Sequence, residues 1–399
     1  MAGSTLTTAA FILKRRYSED VGDHTMRDHP LMTMISKSPG MTGPAAGWFY
    51  AITHSNPQGI SGTFSSVVKS GSSGVQPVAT RRKKYGIITL DREAMKACRD
   101  KGALLDLVTQ ETDGILTELG DNLAREAYGD GNGQLGRRSS ASTNVITLTV
   151  ANDSRNFKYG MTVIADDTAT GATPRTGSTT VAGVDYDSGT VTLTLASSID
   201  SFSDNDYLFR IGDPSTVIDG LAAHLPLTAP ALGSDSFRGI DRGVDVLALS
   251  GARVNDTGTP IEENAGLVAV KINQGGQKAK QVFVNPINFW AAARRLNAKV
   301  TYEGGGGKAT YGFEGIDIHS PAGTLRMYSD PDCPTNRGYV MNLDKWYWKH
   351  LDPFTHFIRD GNSGDIEMRV YNADEVEVRV CAMGNICSSL PGSSGVFAI

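Results

Sequence analysis

The residues that come nearest to a chemical motif are a glycine run at 304–307 followed by Lys308. A phosphate-binding loop needs a Gly six positions before the Lys and a Ser or Thr directly after it, because backbone N–H groups hold the phosphates and the hydroxyl binds Mg²⁺. Those two positions are occupied by Tyr302 and Ala309. The run therefore predicts a flexible loop, and no cofactor is expected.

The histidines and cysteines show no spacing typical of metal ligands or of catalysis. None of the seven His belongs to an H-E-x-x-H helix, and the four Cys contain no C-x-x-C pair. His350 and His356 lie close in sequence to Trp346, Trp348 and Phe354, which predicts a packed or partly exposed cluster and not a metal site. There is no G-x-S-x-G elbow and no G-x-G-x-x-G after a strand. The sequence predicts no metal site and no enzyme.

A pair of carboxylates, Asp330 and Asp332, flanks Pro331 beside Cys333. Carboxylate pairs can perform acid–base chemistry, but only in a fold that positions them against a substrate. Asp and Pro in this order are also typical of turns. A turn is the preferred interpretation.

A basic run, Arg81, Arg82, Lys83 and Lys84, lies at the base of a predicted hairpin. Such a run is usually a solvated face. The alternative is pairing with an acidic patch on a neighbouring subunit. These four residues, together with Lys69 within the hairpin, are the candidate inter-subunit contacts.

Composition and charge exclude several classes of protein. Hydrophobic residues make up 40% and charged residues 20% of the 399 residues, which is typical of a globular chain. No apolar run approaches the ~18 residues of a membrane helix, and the N-terminus lacks the order of a secretory signal. A net charge of −5 argues against a dedicated DNA binder. We expect a protein that stays in the cytoplasm where it is made.

The first ninety residues divide into two segments. Residues 1–45 lack periodicity apart from a short apolar patch at 31–35, and they predict an extended arm ordered by a neighbour or else a disordered tail. Residues 46–90 alternate β-prone runs with Gly and Ser, which predicts a long two-stranded hairpin running from Trp48 to Leu90. A lone hairpin is marginally stable in water, so a neighbouring subunit is expected to support it.

One long helix is predicted over residues 91–128. Asp91 is a suitable N-cap and Glu93 follows in the first turn, where negative charge is favourable. The glycines at 129, 131 and 133 end it. Its apolar residues recur at spacings of four or seven, at Leu104, Val108, Ile115, Leu119, Leu123 and Ala127.

Residues 143–213 predict an all-β module. The runs 144–150 and 189–195 alternate as strands do, and turn clusters separate them. The segment contains nine Asp, no Glu and four Lys or Arg, so its net charge equals the −5 of the whole chain. An acidic, solvent-exposed module inserted into a loop is the simplest interpretation.

Residues 214–399 predict mixed α and β structure. A strand ending in a turn is expected at 281–286 and a helix at 287–296, and the β-prone runs 316–321, 325–328 and 338–343 follow. The run 375–380 alternates charged residues with Val, which is typical of a strand with one buried face.

This order of elements resembles the major capsid proteins of tailed bacteriophages, which have the Hong Kong 97 fold. The resemblance covers nearly the whole chain: arm, long hairpin, long helix, and then a mixed α/β half that ends in strands. Its local carriers are the 91–128 helix, the strand-to-helix unit from Val282 to Trp290, the run 372–380, and the closing residues 384–392.

The resemblance implies an α+β subunit with an N-terminal arm (1–45), an extended loop (46–90), a spine helix of a peripheral domain (91–142) and an axial domain with the remaining peripheral strands (214–399). The 143–213 segment resembles the surface domain that some members carry as an insertion. Some members cross-link through a Lys in the extended loop, the region that contains Lys69, but that activity is not carried over.

The implied function is self-assembly as hexamers and pentamers into an icosahedral shell. That shell would enclose double-stranded DNA without sequence-specific binding, and it would be built in the host cytoplasm to become part of the virion. The chain begins without a charged helical prefix, so a separate scaffolding protein is expected. A portal and a decoration protein are further expected partners, and no membrane is.

Three alternatives remain at this stage. An encapsulin-like compartment would share the fold and hold a cargo enzyme instead of a genome. A β-rich phage or cell-surface adhesin would suit the Gly, Ser and Thr content but not the long helix. A hydrolase with an unmarked active site has no supporting motif.

Overall fold

A computed structural model describes residues 29–41, 52–54, 60–63, 73–91, 107–297, 315–351, 355–359, 367–370 and 373–399. Several predicted features lie outside these ranges: residues 1–28 of the arm, the start of the hairpin at Trp48, Lys69, residues 92–106 of the long helix, Phe354 and the glycine run at 304–307.

Helices are few and mostly short in the described residues. They are α1 (Pro30–Met34), α2 (Leu107–Ala127), α3 (Leu221–His224), α4 (Val246–Ser250), α5 (Ile261–Gln274) and α6 (Pro286–Asn297). Short 3₁₀ turns occupy Ala151–Asn156, Ala196–Ser198, Arg242–Val244, Leu343–Lys345 and Pro391–Ser393.

Strands dominate the rest of the described chain. They are β1 (Ser36–Pro39), β2 (Ile52–His54), β3 (Ser73–Val75), β4 (Arg82–Asp91), β5 (Gln134–Ser142), β6 (Val145–Leu148), β7 (Thr162–Asp166), β8 (Thr179–Asp185), β9 (Thr190–Leu193), β10 (Tyr207–Arg210), β11 (Ser236–Phe237), β12 (Ile240–Asp241), β13 (Ala252–Val254), β14 (Gln281–Val284), β15 (Ile316–Ser320), β16 (Gly323–Ser329), β17 (Arg337–Met341), β18 (Trp346–His350), β19 (His356–Phe357), β20 (Glu367–Arg369), β21 (Glu375–Ser388) and β22 (Gly395–Ala398).

The first sheet, which we call the long sheet, is organised around β21. One edge of β21 pairs with β4 along ten residues, and the other edge pairs with β18, β19 and β20 in turn. Strand β1 joins β18 in parallel. The predicted alternation of β21 is confirmed, since Val376, Val378 and Val380 are buried and the intervening residues face outward.

The second sheet has six strands in the order β13-β22-β17-β14-β16-β15. Helix α5 packs on β13, β22, β17 and β15, and α6 packs on β16. Val282 and Val284 face the helices, and Phe283 between them faces the opposite core. This alternation confirms the predicted strand-to-helix unit, in which Asn285 accepts a hydrogen bond from the Ile287 N–H (3.1 Å) and caps α6.

A closed barrel forms from β10-β5-β6-β9-β8-β7. Its core consists of side chains from its own strands and turns, among them Ile146, Phe157 and Leu208. Closure removes the free edges that an open sheet presents. The barrel begins at Gln134, earlier than the 143 expected from the sequence, because β5 pairs with both β6 and β10.

The long sheet and second sheet meet α1, α2 and α3 in one shared core, which we call the composite core. Leu119, Leu123 and Ala127 recur every four residues along α2 and are all buried in it. Trp346 and Trp348 are among its largest fully buried side chains. His350 and His356 of the predicted cluster are partly buried, and Phe354 lies outside the described residues.

The predicted start of the long helix is wrong. Asp91 is the last residue of β4 and pairs with Glu375, while the described helix begins at Leu107. This segment forms a strand because β4 pairs with β21 along all ten of its residues and buries Ile88. Gly86 allows close packing, since a Cβ at that position would lie 2.7 Å from Ile115 Cγ1 of α2.

The pairing of β4 with β21 also shows that the predicted bounds of the hairpin are wrong. Strands β2 and β3 do pair in antiparallel register, but 82–91 belongs to the long sheet and not to the hairpin.

Part of the predicted arm is also different: α1 and β1 fold onto the chain's own body, and Leu31, Ile35 and Met41 are buried there. These residues are therefore buried against their own chain.

Within the described residues, no helix is both long and apolar enough to span a membrane.

Candidate functional site

Three polar joints connect the layers of the molecule, and the first contains part of the predicted basic run. Lys84 projects from β4 and its Nζ lies 2.6 Å from Asp213 Oδ1 and 2.8 Å from Glu126 Oε1. Arg125 lies 3.8 Å from the same Asp213. This joint ties the long sheet to the C-terminal end of α2 and to the chain that leaves the barrel.

Burial raises the pKa of Glu126, and the ammonium of Lys84 opposes that shift. A buried carboxylate needs such a partner because isolated charge is costly in a protein interior. Lys84 is therefore committed to carboxylates of its own chain.

The second joint surrounds Asp219. Its Oδ2 accepts hydrogen bonds from Arg238 (3.0 Å) and from the Asn385 amide (3.0 Å), while Arg82 lies 3.9 Å from Oδ1. Arg81 donates to the Met41 carbonyl at 3.4 Å. Like Lys84, these two arginines of the basic run contact their own chain, whereas Lys83 is exposed. Arg81, Arg82, Lys83 and Lys84 all stay predicted inter-subunit contacts, because contacts within one chain do not test that role.

The third joint holds the N-terminal segment through His29. Its Nδ1 lies 2.6 Å from Asp332 Oδ2 and its Nε2 lies 3.2 Å from Asp121 Oδ1. Hydrogen bonds to Asp121 and then to Asp332 raise the pKa of His29 to about 9. Lys158 from the barrel lies 2.8 Å from Asp121 Oδ2 and adds a second cation to the joint.

The predicted turn at Asp330 and Asp332 is confirmed, but its two carboxylates have distinct roles. Asp330 is buried and accepts hydrogen bonds from the Tyr128 hydroxyl (2.7 Å) and the Leu31 N–H (3.1 Å). Burial is the main cause that raises the pKa of Asp330 to about 6. The turn thus fixes α1 against the end of α2, which is a structural role.

A cleft of about 310 Å³ lies between the barrel, the end of α2 and the loop at 331–337. Asp153 lines it, and burial raises the pKa of Asp153 to about 7 while the nearby Arg337 opposes the shift. The cleft mixes guanidinium and carboxylate groups from these three parts.

Sequence reasoning missed His29, Asp121 and the burial of Asp330. Their spacing could not reveal them, since His29 is 92 positions from Asp121 and 303 from Asp332. In the described residues, no group of three or more His, Cys, Asp or Glu is arranged to hold a metal ion.

No protein-family model and no curated protein sequence matches this chain. Among solved structures, it is similar to a chain of the cyanophage A-1(L) capsid asymmetric unit, with a TM-score of 0.55 and 11% identity over 99% of this chain and 98% of that one. A native GTA particle capsid chain gives a TM-score of 0.48 at 9% identity, covering 100% and 99%. The SrpI encapsulin of Synechococcus elongatus PCC 7942 gives 0.46 at 7% identity, covering 100% and 96%.

The first of these likenesses confirms, at the level of the fold, the resemblance to phage capsid proteins that the sequence suggested. The chain has a mixed α and β fold similar to that of the cyanophage capsid chain, and the likeness extends from end to end.

Proposed function

We propose that this chain is the major capsid protein of a tailed double-stranded DNA phage, and that its copies assemble as hexamers and pentamers into a closed icosahedral shell. The observation that carries the proposal is the end-to-end fold likeness to the cyanophage A-1(L) capsid chain. The role proposed is structural, and the location is the virion.

The long sheet supports self-assembly through its outer strand. Among the described residues no strand pairs with the outer edge of β4. Tyr85 and Ile87 on this strand are 53% and 55% exposed. An edge strand with outward apolar side chains favours contact with another chain.

The joints support a subunit that keeps its form within a lattice. The Lys84 and His29 joints connect β4, α2, the barrel and the N-terminal segment by charge-assisted hydrogen bonds, which hold their geometry more firmly than neutral ones. A subunit that meets several neighbours at once needs such fixed angles for a shell to close.

The acidic balance of the chain supports enclosure of DNA without tight binding. Neutralising phosphates requires Lys and Arg, and this chain carries a net charge of −5. A weakly interacting inner surface would let a genome enter and leave.

The parts of the subunit are proposed as follows. The barrel is the inserted all-β domain, starting at Gln134. Helix α2 is the spine of the peripheral domain, β2 and β3 belong to the extended loop, and the second sheet with α5 and α6 forms the axial domain. A scaffolding protein, a portal and a decoration protein are the proposed partners.

The test is negative-stain microscopy of the purified, untagged protein, with sedimentation velocity at several concentrations. We expect closed or partly closed polyhedral particles. A persistent monomer or dimer, even with a candidate scaffolding partner added, would contradict the proposal. Particles from the native host that contain protein cargo and no DNA would identify a compartment in place of a phage shell.

A further inference from the structure

The outer face of α6 carries an apolar stripe that is exposed in the part of the chain that the structure describes. Ile287 and Trp290 are 56% and 61% exposed, and Arg294 follows one turn later, also exposed. Spacings of three and four place these side chains on one face of the helix. The opposite face, with Ala292 and Ala293, is buried.

Helix α5 carries a matching stripe beside it. Leu267 is 46% exposed and Glu263, four residues earlier, is exposed as well. Ala265, Val268 and Ile272 occupy the buried side and pack on the second sheet. Because α5 and α6 pack against each other on the same face of that sheet, both stripes belong to one outer layer.

We propose that the α6 stripe of one copy packs against the α5 stripe of a second copy, with Trp290 lying on Leu267 and Arg294 pairing with Glu263. This inference rests on the proposed shell function and names one of its subunit contacts. The partner is a second copy because one chain carries both complementary surfaces. The α6 stripe combines apolar side chains with a basic one, and the α5 stripe combines an apolar side chain with an acidic one.

The charges support this choice of partner. Neither Arg294 nor Glu263 forms an ion pair with any residue that the structure describes. Trp and Arg are the residue types that most often dominate association energies. A contact between unlike stripes repeats from copy to copy, and repetition of this kind closes rings or two-fold pairs.

The first experiment exchanges the charges. Arg294→Glu alone and Glu263→Arg alone place like charges opposite each other and are expected to abolish particle formation. The double variant restores the pair in reversed order and is expected to restore particles. Sedimentation velocity and microscopy give the readout, and circular dichroism checks that each variant is folded.

If the double variant forms particles, a folding defect cannot explain why the single variants fail to assemble. Glu263 lies in the first turn of α5 and Arg294 in the last turn of α6, where each charge also favours its own helix end. The double variant loses both favourable helix-end interactions, so only a restored contact can return assembly.

The second experiment truncates the proposed anchor. Trp290→Ala is expected to weaken self-association about 30-fold, as loss of an interface anchor does. Tyr159→Ala is the matched control: Tyr159 is 84% exposed on the barrel, and its removal is expected to leave association unchanged.

The outcomes separate the two proposals. A wild-type protein that never associates overturns the shell function and this contact with it. A wild-type protein that forms particles, with single charge variants that assemble equally well or a folded double variant that does not recover, overturns the contact alone.

Discussion

The barrel core comes from one continuous segment of the chain, whereas the composite core comes from segments that are far apart in sequence. Every buried member of the barrel core lies between Leu135 and Leu208. The composite core draws its members from Leu31 to Val396. The barrel also closes on itself, whereas the long sheet ends in β4.

The barrel can therefore form its core from its own segment, whereas the composite core depends on segments from almost the whole chain. A core built from one continuous segment needs only short loops to close before its contacts form, while a core built from distant segments requires the whole chain to be in place. We therefore expect the barrel to open and close as its own cooperative unit and the composite core to respond to changes in any of its contributors. The proposed subunit contacts on β4, α5 and α6 all lie outside the barrel.

The largest effect is expected from Trp346→Ala. Trp346 is fully buried in the composite core, donates from Nε1 to Ser394 Oγ (2.9 Å) and packs edge-on against the His224 ring, with the ring centroids 5.2 Å apart. The cavity is expected to lower the free energy of unfolding by about 3–5 kcal/mol. Hydrogen exchange should increase across 337–399 while 134–210 stays protected.

The control for this variant is Trp290→Ala, which removes the same side-chain type from an exposed site. The unfolding free energy of the monomer should then change by less than about 0.5 kcal/mol. Equal loss of protection in 134–210 and 337–399 with Trp346→Ala would show that the two regions unfold as one.

A smaller effect, confined to the barrel, is expected from Leu208→Ala. Leu208 is fully buried in β10, and its truncation should destabilise the barrel by about 3 kcal/mol. No Trp lies between 134 and 210, so tryptophan fluorescence reports the rest of the chain. The fluorescence midpoint in urea should stay near that of the wild type while hydrogen exchange in the barrel increases. A parallel fall of the fluorescence midpoint would remove the distinction between the regions.

The same distinction explains what the sequence could predict. Two of the six barrel strands, β6 and β9, correspond to the runs 144–150 and 189–195, which alternation and flanking turn residues predict. The strand-to-helix unit, predicted at 281–296 from an apolar run that ends at Asn285 and Pro286, is observed at Gln281–Val284 and Pro286–Asn297. In both cases the local pattern and the fold agree.

The errors arose where distant partners decide the structure. Asp91 is a good helix cap by type, yet it lies in a strand because β21, almost three hundred residues later, pairs with β4. The 31–35 patch was assigned to an arm, although Leu31 and Ile35 are buried in the composite core. Local propensity cannot register such contacts, and tertiary packing overrides it.

The smallest effect concerns the joint that holds the N-terminal segment on the composite core. His29 contacts Asp121 and Asp332, with Lys158 on the far side of Asp121. The pKa of His29 is raised from 6.5 to about 9 because these hydrogen bonds favour the protonated ring. A raised folded-state pKa means that the stabilisation is complete below pH 6.5 and is lost as the pH rises through about 9.

The pH profile of unfolding should therefore differ between the wild type and His29→Gln. The difference between their unfolding free energies is expected to be about 1 kcal/mol at pH 6, since the ring is partly exposed to solvent, and to vanish near pH 10. Asp330, whose pKa is raised to about 6, titrates at the lower end of this pH range, so the change in the difference between pH 7.5 and pH 10 is the part that reports on His29. Hydrogen exchange at 29–41 should follow this profile and the barrel should not. A difference that stays constant from pH 6 to pH 10 would mean that the imidazolium does not fasten this segment, because only a charged ring binds both carboxylates more tightly than a neutral amide does.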